Sequence, residues 1–131
     1  MRVLSSVLVL LAVGASSLAA QEQAPPDGAQ LFELVCAMCH TVNPPPKAAP
    51  PISHAAAYYL RKYQSADSAV AAMVAYLKKP EAERSAVPAM AIERFGLMPS
   101  QGHLSDAQLD AVARYALSLA DTAHVGGHEH H

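Results

Sequence analysis

The sequence predicts an all-α fold, and three observations carry that prediction. No stretch alternates apolar and polar residues at period two, as a half-buried strand would. Apolar residues instead recur three and four apart, in Val70, Met73, Val74 and Leu77 and again in Leu109, Val112, Ala113, Ala116 and Leu119, which is the stripe of an amphipathic helix. Helix-start residues precede these stripes, and prolines stop or interrupt them. At 131 residues, 52% hydrophobic and 15% charged, the chain suits one globular domain and is too apolar for a disordered one. A formal net charge of −2 supplies no polyelectrolyte attraction for nucleic acid or anionic lipid. Two cysteines only three positions apart, Cys36 and Cys39, cannot staple a distant loop, which excludes a disulfide scaffold.

The elements follow in order. Arg2, an apolar stretch at 7–13 and a small-residue-rich stretch at 14–20 form the pattern of a secretory signal. The apolar run is too short to span a bilayer, and no cysteine follows it for lipid attachment. Cleavage after Ala20 would leave 111 residues with 8 basic and 11 acidic side chains, a net charge of −3. The expected organisation is a signal peptide at 1–20, one domain at 21–120 and a disordered His-rich tail at 121–131.

Residues 21–26 are a polar, proline-ended lead. Asp27, with Gln30 three positions on, is an expected Asx-type capping box, and Leu31, Phe32, Leu34 and Val35 supply the apolar positions of a helix that carries residues 36–40. Residues 41–51 hold five prolines; they exclude a helix or an inner strand and predict an extended wrap. Ser53 starts a second helix to about Tyr63. Ser65 starts a third, which Pro80 stops. Residues 81–101 are expected to be irregular, broken by Pro88 and Pro99. The last helix is the best specified: Ser105 and Gln108 form a capping box, and Leu104 and Leu109 occupy the positions of a hydrophobic staple.

Cys36-Ala37-Met38-Cys39-His40 is C-x-x-C-H, the attachment signature of c-type haem. Two cysteines three apart on one helical turn project to the same face, so both sulfurs can add to the two vinyl groups of one macrocycle. His40, the next residue, then turns beneath the ring with its imidazole aimed at iron. Other readings fit less well. A thioredoxin-like pair needs a βα surround, and no such pattern is visible. A zinc site needs a second ligand pair, and a disulfide between Cys36 and Cys39 would close almost nothing.

On these residues the chain resembles the class I, monohaem cytochrome c family of bacterial periplasmic type, over nearly all of residues 21–120. Gly28-x-x-x-Phe32-x-x-x-Cys36 is similar to the family's N-terminal helix, whose glycine lets the C-terminal helix cross closely. Val112 and Tyr115 match the aliphatic and aromatic positions of that C-terminal helix. Pro50-Pro51-Ile52 resembles the turn after the haem motif, in which a proline carbonyl accepts a bond from the proximal imidazole. Phe95-Gly96-Leu97-Met98-Pro99 resembles the loop that supplies the sixth ligand. The chain departs from the common pattern in having no tryptophan, and the sequence names no replacement for the usual propionate-binding contacts.

The resemblance implies a cytochrome c fold of three to five helices, with N- and C-terminal helices crossing around one haem c bound through Cys36 and Cys39. It implies iron held by His40 and a methionine, with Pro50 orienting His40. Among the candidates, Met38 lies inside the motif and Met73 on an apolar stripe. Met98, directly before Pro99, is preferred over Met90, and His54 and His103 stand behind both. The implied function is periplasmic single-electron transfer, as a soluble carrier or as the electron-transfer subunit of a redox complex, with redox proteins as partners and no enzymatic activity of its own. Two alternatives remain open on the sequence. One is a haem enzyme or sensor with an open sixth position, peroxidase-like. The other is a metal-binding protein using His124, His128, His130 and His131. Tyr58, Tyr59 and Tyr63 share one short helix, for stacking against haem or core, or for bonding a propionate. Lys78-Lys79 and Arg61-Lys62 read as solvated charge pairs.

Overall fold

The computed structural model describes residue 24 and residues 26–121. The expected signal peptide, most of the polar lead and the His-rich tail beyond Asp121 lie outside the described residues. Within them the chain forms five α-helices and no strand: α1 (Gly28–Leu31), α2 (Ile52–Lys62), α3 (Ala66–Lys78), α4 (Ala89–Phe95) and α5 (Asp106–Ser118). No helix of the described residues is long and apolar enough to cross a membrane.

Asp27 caps α1, its Oδ1 accepting the Ala29 and Gln30 amides at 2.9 and 3.4 Å, as a one-way cap rather than the expected box. The helix does not run on evenly into the cysteine motif. At Phe32 it widens into a π-helical turn, Phe32–Cys36, closed by the Ala37 amide donating to the Phe32 carbonyl at 2.9 Å. Such single π turns mark functional sites because they re-aim the side chains that follow. The proline-rich segment 41–51 is neither helix nor strand, but it folds back rather than running extended. The Ile52 and Ser53 amides donate to the Thr41 and Val42 carbonyls at 2.8 and 2.9 Å, closing the segment into a loop beside the motif.

α2 starts at Ile52, one residue before the expected Ser53, with Pro51 at the cap position. α3 begins after Ser65, whose hydroxyl accepts the Ser68 amide at 3.1 Å. The segment 81–101 corrects the expectation of irregular chain. It contains a short 3-10 turn, Ala82–Arg84, and α4. Pro88 initiates α4 instead of breaking it, because a proline at a helix start gives up only an amide that has no partner there. Gly96, at φ 74°, ends α4. The capping box of α5 is complete, with Ser105 Oγ accepting the Gln108 amide and Gln108 Oε1 accepting the Ser105 amide.

α5 is the centre of the packing and touches α1, α2 and α3. Its stripe of Leu109, Val112, Ala113 and Ala116 is buried, joined by Leu117, while Leu119 is only partly covered. Phe32, 1% exposed, enters this core and meets the Tyr115 ring edge-on at 5.6 Å. Burying one such ring contributes about 1.5–3 kcal/mol, plus about 0.5–1.5 kcal/mol for the aromatic contact. Val70, Met73 and Leu77 bring the buried face of α3 to the same core.

Candidate functional site

The π turn delivers Cys36 to the wall of a cleft, and a tight turn carries the chain on to His40: the Cys39 and His40 amides both donate to the Cys36 carbonyl, at 3.1 and 2.9 Å. The proline loop pins this turn from outside. The Ala49 amide bonds the Cys39 carbonyl at 3.1 Å, and Lys47 Nζ bonds the Ala37 carbonyl at 2.9 Å. Cys36, Cys39 and His40 line one cleft together with Met98, which reaches it from the segment after α4. The cleft, partly open to solvent, has a cavity volume of about 250 Å³ and lies between the motif, α2, α3 and residues 91–99.

His40 is oriented by its neighbour. Its Nδ1 lies 2.7 Å from the Pro50 carbonyl oxygen. A carbonyl only accepts, so the proton sits on Nδ1 and Nε2 is left with its lone pair for a metal. Burial lowers the His40 pKa, against the opposing effect of the Pro50 bond, and so favours the neutral ring that metal binding requires. The same burial pushes the Cys36 thiol up to about 11, so before any reaction it is a neutral thiol at ordinary pH. Both cysteines are free thiols.

The loop bearing Met98 is anchored at both ends. Gly96 turns the chain at the end of α4, and beyond Pro99 the Ser100 hydroxyl and Gln101 amide donate to the Lys78 and Leu77 carbonyls at 2.6 and 2.7 Å. These bonds occupy carbonyls that the C-terminus of α3 would otherwise leave unmet. Tyr76, on α3, lines the cleft too; burial raises its pKa, against the opposing pull of a hydrogen bond from the Met98 backbone.

The sequence candidates therefore separate in space. Cys36, Cys39, His40, Pro50 and Met98 share the cleft. Met90 is 75% exposed and lines a neighbouring hollow with His54, beside the proline loop. Met38 is exposed, and His103 is not among the cleft residues. Met73, read from its stripe as core, is buried in the core and also touches the cleft. Sequence reasoning missed Tyr76 and Ser85. For Tyr76 a signal existed, since it follows Met73 by three on the same helix; for Ser85, in an irregular segment, none did.

The donor set fits a haem. Two thiols stand beside one neutral imidazole, the remaining walls are mostly aliphatic, proline and aromatic, and Met98 brings a soft thioether to the same cleft. No group of three or more metal-binding His, Cys, Asp or Glu residues exists among the described residues. No curated protein and no solved structure matches the chain. The family description that matches it is cytochrome c, over residues 26–120, which runs from the residue before Asp27 to the end of the packed core. Its members bind haem c covalently through a cysteine pair spaced as Cys36 and Cys39 are, and are generally electron-transfer proteins. From the glycine-led first helix to the close of α5, this chain belongs to the cytochrome c family.

Proposed function

We propose that the protein carries single electrons in the periplasm, with its haem iron held axially by His40 and Met98, either as a soluble carrier or as the electron-transfer subunit of a redox complex. Haem supplies the one-electron couple, its iron alternating between ferric and ferrous. The observation that carries the reading is that Met98, and neither Met90 nor Met38, lines the cleft with Cys36, Cys39 and His40, while Met73, the other methionine there, is buried on the core stripe of α3. His40, tied at Nδ1 to Pro50, presents a fixed Nε2. A thioether from Met98 would favour the reduced metal and raise the potential relative to a second histidine. With haem filling the cleft, its largely apolar walls would limit the water around the iron and keep the change of surroundings on electron transfer small. If His40 and Met98 both held the iron, no position would remain for a substrate, which favours a carrier over a peroxidase-like enzyme or sensor. Export rests on the signal pattern of residues 1–20, and redox proteins are the partners such a carrier needs.

The test is the visible spectrum of protein matured in a periplasm equipped for haem attachment. The expected result is a sharp reduced α-band and the weak far-red ferric band of sulfur-ligated iron. Met98→Ala should abolish the far-red band and Met90→Ala should keep it. A high-spin wild-type spectrum that shifts with carbon monoxide would overturn the axial pair and move the reading to an enzyme or sensor. Recovery of the protein in the periplasmic fraction, with Gln21 as its first residue, is the matching check on export.

A further inference from the structure

The hollow beside the proline loop has a cavity volume of about 370 Å³ and backs onto the cleft. The proline loop, α2 and α4 build it, and Pro50, Ala55 and Phe95 line both spaces. Pro44, Pro46, Pro51, Tyr58 and Val87 add further apolar wall. Met90, 75% exposed, belongs to this hollow and lies outside both the cleft and the core cluster. An apolar surface left open in this way marks an interaction site, and methionine adapts its unbranched chain to whatever meets it. Prolines have a fixed φ, so the loop gives up little freedom when a partner settles on it.

Charge around the hollow has one sign. Arg94 lines it, and among the described residues no carboxylate does. The Arg94 guanidinium lies 4.9 Å from the centre of the Phe95 ring, and the Arg61 guanidinium 5.2 Å from that of Tyr58. Each cation is thus stacked on a ring that forms part of the wall. Glu93, beside Arg94 in sequence, and Asp121, whose amide bonds the Ser53 carbonyl next to His54, are not lining residues. The whole chain carries a formal charge of −2, so this is a positive field on a negative molecule. Such a field steers an acidic partner to one face and fixes its orientation.

We propose that this hollow is the docking surface for a redox partner that presents an apolar side chain flanked by carboxylates. The apolar side chain enters among the prolines beside Met90, and the carboxylates pair with Arg94 and Arg61. The proposal rests on the reading that this protein exchanges electrons with other proteins. Pro50 is the reason the position suits that exchange. It lines the hollow, and its carbonyl oxygen lies 2.7 Å from His40 Nδ1, so one residue separates a seated partner from the proximal ligand.

The test is an amide NMR titration of the haem-loaded, isotope-labelled protein with the peptide Glu-Asp-Phe-Asp-Glu. The uncharged Gln-Asn-Phe-Asn-Gln and the basic Lys-Arg-Phe-Arg-Lys serve as comparisons. The expected shifts fall on residues 54–58 and 87–95, fade with added salt and require the carboxylates. Arg94→Gln should weaken binding about two- to fivefold, the range of one exposed ion pair. Met90→Glu should abolish it by removing the anchor and adding a like charge. Arg114→Gln, on α5 and outside the hollow, should keep wild-type affinity. Equal binding of the uncharged or basic peptide, or unchanged binding in both hollow variants, would overturn the acidic partner. The same shifts on raising the protein concentration without peptide would make a second copy the occupant and overturn it too. Absence of docking on a protein whose far-red band is intact removes the hollow alone. Docking on a high-spin wild type removes the Met98-ligated carrier and leaves the docking surface standing.

Discussion

Gly28 lies against the backbone of Ala111 so closely that a β-carbon on it would overlap the Ala111 carbonyl oxygen. The same carbon would stand 2.8 Å from the Ala111 carbonyl carbon and 3.0 Å from Tyr115 Cβ. The first and last helices cross here with nothing between them but a hydrogen, and Phe32, one helical turn on, meets the Tyr115 ring edge-on. The crossing sets where the π turn begins, and with it where Cys36 enters the cleft.

Gly28→Ala is therefore expected to destabilise the haem-loaded protein by about 1–3 kcal/mol, the usual cost of overpacking. Alanine is the better helix former by about 1 kcal/mol, but the opposing atom is backbone and cannot rotate aside. Chemical denaturation measures the difference. A Gly28→Ala protein as stable as wild type would mean that α1 and α5 can separate without loss.

Gly96 poses the reverse case. A β-carbon there meets nothing within 4 Å, yet the residue sits at φ 74° and ψ −179°, a region essentially confined to glycine. Gly96→Ala should cost about 1–3 kcal/mol through backbone strain alone. Because Met98 follows two residues later, the same variant should weaken the far-red band more than its loss of stability would suggest. A full-strength band would show that the loop absorbs the strain before Met98.

Met73 and Met98 both touch the cleft, but their roles should separate under mutation. Met73 is buried on the stripe of α3, so Met73→Ala should lose about 2–5 kcal/mol of stability while keeping the sulfur-ligation band. Met73→Leu should recover most of that loss. Disappearance of the band in Met73→Leu would make Met73 the ligand and displace Met98.

The Cys36 thiol yields a pH prediction for the haem-free chain. Burial raises its pKa from 9.0 to about 11, and only the thiolate is alkylated at an appreciable rate. A raised pKa means that the folded chain keeps its proton where the unfolded chain has lost it. Alkylation of Cys36 under native conditions should thus lag the urea-unfolded profile between pH 9 and 11, and the two should converge above that range. Coincident profiles would mean that the motif is unfolded before haem attachment.

Local chemistry was legible wherever one residue satisfies its own neighbours. The Ser105–Gln108 box, the Ser65 and Asp27 caps and the stripes of α3 and α5 are short-range arrangements, and each stands where its residues indicate. The misread segment, residues 81–101, failed on position: Pro88 starts a helix because it falls before a run of helix-forming residues, Ala89–Phe95, where a mid-run proline would have broken it. The proline loop was correctly kept out of helix and strand, but its fold-back depends on carbonyls of Thr41 and Val42 that no local pattern announces.

By itself the sequence determined the all-helical class, the covalent attachment chemistry of Cys36 and Cys39 and the expectation that His40 is the proximal ligand, because spacing along one turn and side-chain type suffice for these. Only the tertiary structure decided that Met98 and Met73, and neither Met90 nor Met38, share the cleft with His40, and that Tyr59, Tyr76 and Ser85 line it too. These relationships join residues tens of positions apart. They are fixed by how α2, α3 and α5 pack, through contacts whose energies depend on the whole core and leave no periodic trace in any one segment.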